Sequence, residues 1–185
     1  APPGERLAQL ERYERALNDA ALGRNAGEWP QVFGPLALQI AAHALPVTLL
    51  GQLLSAFKQD THNPIYPDRA ALLDYCSRSA NPIGRLLLHL SNVTEPAALA
   101  QSDAICTALQ LVNFWQDVAK DYAIGRIYLP LDELAQYGVS EEQVAQGIAG
   151  DAWCRLMQFQ VSRARAMMLS GAPLGSILTG RIGLE

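Results

Sequence analysis

Residues 108–130 read ALQLVNFWQDVAKDYAIGRIYLP, and this stretch predicts both a fold and a chemistry. Its first part is apolar without the alternation of a strand, so it predicts one long helix over about residues 97–122. Polar side chains in that helix recur at three- and four-residue steps, which places them on one helical face. That face is formed by Gln110, Asn113, Asp117 and Asp121.

We call this face the acid stripe. Its two aspartates lie one helical turn apart and have apolar neighbours. Buried carboxylates need partners, and two like charges at this spacing repel each other by about 0.2–0.5 kcal/mol even when exposed. A divalent cation meets both needs, and carboxylates combined with an amide oxygen suit Mg²⁺. The alternative is an ordinary solvated helix face on which Lys120 pairs with Asp117, three residues before it.

The segment that follows the stripe adds a cation and a phenol. Gly125 is followed by Arg126 and Tyr128, and Pro130 closes the segment, which is expected to be non-helical. Arg126 and Tyr128 are therefore close enough to the second acid to receive a diphosphate. This segment favours the metal interpretation of the stripe over the solvated face.

A second informative segment, residues 74–90, reads DYCSRSANPIGRLLLHL. Small side chains recur at four-residue steps and predict a flat helical face: Cys76, Ala80 and Gly84. Another helix or a long hydrocarbon could approach that face closely, and Tyr75 and Ser79 lie on the adjacent strip. A tight helix crossing without any ligand is the alternative. Pro82 is expected to kink the helix and free a backbone carbonyl beside a cavity.

The remaining sequence predicts an all-α protein with six or seven helices in one bundle. Hydrophobic residues make up 50% of its 185 residues and charged residues 17%, which allows a sizeable core. Helices are expected at residues 5–22, 32–45, 47–58, 68–90, 97–122, 140–147 and 151–169. Asp68 is the expected N-cap of the fourth helix, and residues 1–185 are expected to form one domain.

Charge and cysteine content exclude several functional classes. The net charge is −4 and no run of Lys or Arg offers a track for a phosphate backbone, which argues against nucleic acid as a partner. The three cysteines have no zinc-like spacing and are expected to be reduced. No apolar run approaches the ~18 residues that a membrane span needs. A cytoplasmic protein is expected, with peripheral membrane contact and oligomeric state left open.

Together, the two segments resemble the squalene/phytoene synthase family. Its second aspartate motif reads Asn-x3-Asp-x3-Asp followed by Gly-Arg-x-Tyr-x-Pro, and the matching residues here are Asn113, Asp117, Asp121, Gly125, Arg126, Tyr128 and Pro130. The family's Tyr-Cys element with a following glycine matches Tyr75, Cys76 and Gly84. The resemblance extends from residues 57–60 to about residue 169. It implies the helical bundle of the isoprenoid synthases, a prenyl diphosphate substrate and Mg²⁺.

The resemblance also implies three groups of site residues. The expected metal ligands are Asn113, Asp117 and Asp121. The expected catalytic residues are Tyr75, whose ring faces a carbocation, Gln110 and Tyr128. The expected substrate-binding residues are Ser79, Gly84 and Arg126. These side chains are expected to surround one central cavity.

Within the family, the wording Asn-Phe-Trp-Gln-Asp and Ser-Ala-Asn-Pro-Ile-Gly-Arg resembles the hydroxysqualene synthase branch. The resemblance implies ionisation of presqualene diphosphate, rearrangement of the cation and quenching by water. Presqualene diphosphate and phytoene synthases, which condense two prenyl diphosphates, usually have Arg where Gln116 stands, and they are the alternative within enzymes. An inactive helical fragment that serves only as an interaction module is the alternative outside them.

One departure from the family pattern concerns the first aspartate-rich motif, which this sequence lacks. Residues 11–14, ERYE, are no substitute because their acids lie on an ordinary amphipathic helix. The sequence also starts without an initiator Met. The chain is therefore expected to be truncated at both ends and to lack N-terminal helices of the domain. It is also expected to be inactive alone and to expose an apolar groove where those helices would pack.

Overall fold

A computed structural model describes residues 2–24 and 27–178 of the chain. This part contains helices only, apart from a single parallel β-bridge between Ile65 and Ile127. The helices are α1 (Pro3–Ala21), α2 (Pro30–His43), α3 (Val47–Asp60), α4 (Arg69–Ser79), α5 (Asn81–Leu90), α6 (Pro96–Gln116), α7 (Val118–Ala123), α8 (Leu131–Tyr137), α9 (Glu141–Gln146), α10 (Asp151–Gly171) and α11 (Leu174–Ile177). The predicted all-α class is confirmed. That residues 1–185 form one domain stays a prediction.

Helix α6 lies at the centre of the described bundle. It packs along α10 and also contacts α4, α5 and α7. The largest buried cluster joins α4, α6, α7 and α10 to α8 and includes Leu72, Leu111 and Leu156, all of them almost fully buried. A second cluster, with Phe33 at its centre, fastens α1 and α2 to α3. Helix α3 connects the two clusters because it also packs on α4 and α5.

The helix expected over residues 68–90 is split in two. Asp68 caps its start as predicted, with the backbone N–H of Ala71 donating to Asp68 Oδ1 at 2.8 Å. Ala80 leaves the helical conformation, at φ −121° and ψ −50°, and α5 begins at Asn81. Pro82 explains the break because it has no N–H to donate to the preceding turn and its ring clashes there. The predicted kink is thus a complete interruption.

The helix expected over residues 97–122 is also interrupted, and the interruption falls on the acid stripe itself. Asp117 adopts φ −102° and ψ 13° between α6 and α7. Backbone hydrogen bonds nevertheless run from Asp117 N to Asn113 O at 3.0 Å and from Asp121 N to Asp117 O at 2.8 Å. The three residues therefore remain one turn apart, although they do not lie on one regular helix.

Helix α8 is an addition to the predicted elements. It starts after Pro130, has Asp132 and Glu133 in its first turn, and ends at Gly138, whose φ is 69°. These are ordinary start and stop signals. The sequence pattern predicts no helix between residues 122 and 140, because seven residues are too few to show a helical hydrophobic period.

Candidate functional site

Two loops that are distant in sequence run side by side and bring the site together. Asn63 Nδ2 donates to the carbonyl of Ile124 at 3.0 Å, and the N–H of Leu131 donates to the carbonyl of Tyr66 at 3.0 Å. The Ile65–Ile127 bridge lies between these two contacts. As a result, Tyr66 and the Arg126–Tyr128 segment are held at the C-terminal end of α3.

Four aromatic rings lie in contact where α4, α6 and the two loops meet. The rings of Phe114 and Tyr128 stack nearly parallel, with centroids 3.7 Å apart and planes inclined by 7°. Tyr75 lies 6.2 Å from Phe114 and 6.0 Å from Tyr128, and Tyr66 lies 5.7 Å from both Tyr75 and Tyr128. All four are buried. Burial raises the pKa of each of the three phenols, so all three hydroxyls stay protonated at neutral pH.

Asp60, the last residue of α3, brings a carboxylate to this aromatic cluster. The hydroxyl of Tyr75 donates to Asp60 Oδ2 at 3.0 Å. Burial raises the pKa of Asp60, against the hydrogen bond of Tyr75 and the charge of Arg126, which both lower it. Asp60 Oδ1 is buried without a hydrogen-bond partner among the described residues.

Arg126 lies between the cluster and an open groove. Its Nη2 donates to the backbone carbonyl of Asp60 at 3.2 Å, and its Nη1 donates to the Tyr128 hydroxyl at 3.4 Å. Its Nε donates to Asn63 Oδ1 at 3.4 Å. Two of these three contacts are near the upper limit of a hydrogen bond. The guanidinium could therefore exchange them for stronger acceptors such as phosphate oxygens.

The groove runs between α1 and α3 and has a volume of about 470 Å³. Its polar end is formed by Arg6, Asp60 and Arg126, and its walls include Leu10, Leu54 and Phe57. An almost wholly apolar cavity of about 170 Å³ shares Tyr13, Leu54 and Phe57 with the groove and extends toward α2. The two spaces thus combine a charged end with a hydrocarbon-like lining. The sequence analysis expects an exposed apolar groove where N-terminal helices would pack. That these two spaces are part of that groove stays a prediction.

The acid stripe is more exposed than the apolar sequence around it predicts. Asn113 is exposed, and the side chain of Asp117 keeps 43% of its surface accessible. Lys120 Nζ lies 2.6 Å from Asp117 Oδ1, which is the pairing that the solvated-face alternative predicted. Asp121 is half-buried and lines a narrow cavity that also touches Phe114, Arg126 and Tyr128. Gln110 is half-buried on the preceding turn.

The donor set of this stripe fits one side of a magnesium site. Burial and then the neighbouring charge of Asp117 raise the pKa of Asp121, which is the repulsion that a divalent cation relieves. The available donors are two carboxylates and one amide oxygen, all hard ligands. Within the described ranges no group of three or more His, Cys, Asp or Glu side chains converges, so the carboxylates present supply only part of a coordination sphere.

The small-residue face of α4 and α5 packs against protein. A Cβ added to Gly84 would overlap Ser102 Oγ and lie 2.6 Å from Cys106 Sγ, both on α6. This is the tight helix crossing that was considered as the alternative. It corrects the expectation that Gly84 lines a cavity on that face, and a substrate contact of Gly84 stays a prediction. Ser79 ends α4, and its hydroxyl is buried without a partner among the described residues.

Two contributors to the site were missed by the sequence interpretation. Asp60 lies within residues 57–60, where the family resemblance begins, but the sequence analysis predicts no role for it. It is an acid at the end of an apolar helix, which is a pattern visible in the sequence. Tyr66 was assigned to a loop, and nothing in the local pattern indicates that it contacts Tyr75 and Tyr128. These are long-range contacts, which only the tertiary structure supplies.

Comparisons of sequence and of structure both find known proteins that resemble this chain. The family model described as squalene/phytoene synthase matches residues 1–184. The hydroxysqualene synthase of Rhodopseudomonas palustris is 33% identical over 175 residues, which are 94% of this chain and 59% of that protein. Phytoene synthase 1 of Zea mays, a chloroplastic protein, is 30% identical over 162 residues, which are 84% of this chain and 39% of that protein.

Among solved structures, squalene synthase HpnC from Alicyclobacillus acidocaldarius superposes with a TM-score of 0.88 at 34% identity. The match covers 96% of this chain and 66% of that one. The fold is therefore the all-helical bundle of the isoprenoid synthases. The chain belongs to the squalene/phytoene synthase family. It spans 59% of the length of the Rhodopseudomonas relative. No helix in the described ranges is long and apolar enough to cross a membrane.

Proposed function

We propose that the protein containing this chain ionises presqualene diphosphate in a magnesium-dependent step and quenches the rearranged carbocation with water, as a hydroxysqualene synthase. Arg126 lines both the groove of about 470 Å³ and a small cavity of about 10 Å³, which has room for about one water molecule. The observation that carries the proposal is the set of side chains around that small cavity. Asp121, Arg126 and the stacked pair of Phe114 and Tyr128 all line it. A metal-binding acid, an anion-binding cation and an aromatic wall are the three elements that ionisation of a diphosphate ester requires.

Asn113, Asp117 and Asp121 would hold Mg²⁺, which supplies neutralisation of the diphosphate leaving group when the C–O bond breaks. Lys120 would then exchange its pairing with Asp117 for the solvent or for a phosphate oxygen. The Lys120 ammonium is exposed to solvent and Asp117 is only half-buried. Breaking their ion pair therefore leaves no buried, unpaired charge.

Arg126 would bind the diphosphate through the donors that now make long contacts to Asn63 and Tyr128. Tyr128 would add its hydroxyl from the wall of the same cavity. The buried rings of Tyr75 and Phe114 would keep water from the developing cation and present their π-faces to it. Gln110, one turn before Asn113, would orient the substrate or a water molecule, with Ser79 as a further substrate contact.

Product analysis in ¹⁸O-labelled water tests the proposal. The full-length protein is incubated with presqualene diphosphate and Mg²⁺, and the organic products are separated and analysed by mass spectrometry. The proposal predicts a C30 alcohol that carries one ¹⁸O atom, because the oxygen comes from the solvent. Formation of an unlabelled hydrocarbon as the main product, or no product in the presence of the metal, would refute it.

A condensing activity is the second candidate because a phytoene synthase is 30% identical over 84% of the chain. It predicts that two prenyl diphosphates, supplied as farnesyl or geranylgeranyl diphosphate, are joined without any presqualene diphosphate being added. Gln116 argues against this candidate, because the resemblance implies Arg at that position in family members that condense two prenyl diphosphates. Incubation with each prenyl diphosphate alone separates the two candidates. An interaction module without chemistry predicts turnover of none of them.

A further inference from the structure

The carboxylate of Asp60 lies in an unusual environment. The proposed chemistry gives this carboxylate no role. It ends α3 and lines the groove beside Arg126, while its Oδ1 atom has no contact with solvent. Of its two side-chain oxygens, only Oδ2 has a partner among the described residues, and that partner is the Tyr75 hydroxyl. Keeping such a carboxylate in a half-buried site costs free energy.

The Tyr75 hydroxyl, in turn, donates to Asp60. The Tyr75 ring lies against Phe114, Tyr128 and Tyr66, with centroids 5.7 to 6.2 Å away. Phe114 and Tyr128 are tilted against the ring, and Tyr66 meets it edge to face. The 3.0 Å hydrogen bond to Asp60 fixes the oxygen end of the ring as well.

Asp60 itself is held from the other side of the site. Arg126 donates to its backbone carbonyl at 3.2 Å, and the N–H of Asn63 donates to the same carbonyl at 3.4 Å. The carboxylate that orients Tyr75 is therefore connected to the guanidinium expected to bind the diphosphate. Binding of the leaving group and orientation of the ring depend on one short piece of backbone.

We propose that Asp60 is a positioning residue for Tyr75. By accepting the phenol hydrogen it fixes the ring face toward the carbocation and keeps the hydroxyl turned away from it, so that the phenol oxygen does not compete with water as a nucleophile. A hydrogen bond to a carboxylate also makes the ring more electron-rich, which strengthens its attraction for a cation. This inference rests on the proposed function for its catalytic part, whereas the contact between Asp60 and Tyr75 can be tested without turnover.

The test without turnover is tyrosine Raman spectroscopy of the full-length protein. The C–O stretching bands of a phenol report whether it donates or accepts a hydrogen bond. The difference between the wild type and Tyr75→Phe isolates the bands of Tyr75, and Tyr137→Phe supplies the matched control from outside the cluster. In the Asp60→Ala background, the Tyr75 bands are expected to lose their donor character while the Tyr137 bands stay unchanged. Tyr75 bands that are the same with and without Asp60 would overturn the proposal.

The test with turnover is a double-mutant cycle on the proposed reaction. Asp60→Ala is expected to lower kcat by roughly 10- to 100-fold with little change in KM, because the misplaced ring affects the transition state more than binding. In the Tyr75→Phe background, the same substitution is expected to change kcat by no more than about twofold. Effects that multiply would mean that Asp60 acts on its own, for instance as the acceptor of the water proton, and would overturn the positioning role.

Asp60→Asn keeps the inference testable if Asp60→Ala fails to fold. Asparagine has the same size and retains an oxygen acceptor, so the Tyr75 bands are expected to shift part of the way and kcat to fall less than in Asp60→Ala. An Asp60→Asn protein whose Tyr75 bands and kcat both equal those of the wild type would refute the need for a carboxylate. If the wild type itself turns over no prenyl diphosphate, the proposed function fails. The Raman comparison alone then decides whether Asp60 positions Tyr75.

Discussion

Replacing Gly84 by alanine tests whether the small-residue face of α5 serves a helix crossing or a ligand. The added Cβ would overlap Ser102 Oγ and would lie 2.6 Å from Cys106 Sγ. Ser102 Cβ lies 3.7 Å away, so the clash involves the tips of two short side chains of α6. Gly51, inside α3, is the matched control because an added Cβ there meets nothing within 4 Å.

The expected magnitude follows from two opposing effects. Gly→Ala inside a helix stabilises it by about 1 kcal/mol, whereas overpacking a tight contact costs about 1–3 kcal/mol. Gly51→Ala should show the gain alone, and Gly84→Ala should show both. The unfolding free energies of the two variants should therefore differ by about 1–3 kcal/mol, with Gly84→Ala the less stable.

Urea denaturation followed by circular dichroism measures this difference. With a urea slope of about 2 kcal/mol per molar, the midpoints of the two variants should lie roughly 0.5–1.5 M apart at similar slopes. If Gly84→Ala is as stable as Gly51→Ala, α5 and α6 do not approach as closely as described. Space beside Gly84 would then be available for a hydrocarbon ligand, and the crossing interpretation would be wrong.

Three further predictions concern buried charges and the acid stripe. Glu133 is buried and pairs with Arg163 at 2.7 Å, so Glu133→Ala should lower the unfolding free energy by about 3–5 kcal/mol because it strands the guanidinium; a loss below 1 kcal/mol by urea titration would contradict this. Burial raises the pKa of Asp60 above its ordinary value of 3.8, so the native state holds this proton more tightly than the unfolded chain. The wild type should therefore lose stability relative to Asp60→Asn as the pH rises above about 3.8, until the raised pKa is passed; a difference that stays constant from about pH 3 to 7 would disprove the shift. Mg²⁺ with inorganic diphosphate should raise the melting temperature of the wild type and raise it much less in Asp121→Asn; equal shifts would place the metal elsewhere.

Much of the fold follows from local sequence signals. Asp68 is an N-cap because its short carboxylate can reach the N–H of Ala71, and Gly23 follows α1 because it accepts a φ of 66°. The two helix breaks were harder to predict. Pro82 predicts an irregular helix but does not indicate whether the helix bends or ends there. The break at Asp117 has no neighbouring proline or glycine that would predict it.

The site was predictable where its residues share one segment. Asn113, Asp117 and Asp121 stay one turn apart through the break, because the backbone hydrogen bonds between them persist. The pairing of Lys120 with Asp117 was also foreseeable from their spacing, as the less favoured alternative. The contacts of Asp60 with Tyr75 and of Arg126 with Asn63 span 15 and 63 residues, and no periodicity encodes such pairs. They arise from two loops lying side by side.

We propose that the acid stripe, which runs from α6 into α7, ionises a prenyl diphosphate together with Arg126. The most direct measurement is the rate at which the full-length protein releases inorganic diphosphate from presqualene diphosphate, with Asp151→Asn as a control at an exposed aspartate that starts α10. The wild type and the control should release diphosphate only in the presence of Mg²⁺, and Asp121→Asn should be slower by roughly 100-fold or more. Release at the wild-type rate by Asp121→Asn, or release that does not depend on the metal, would contradict the claim.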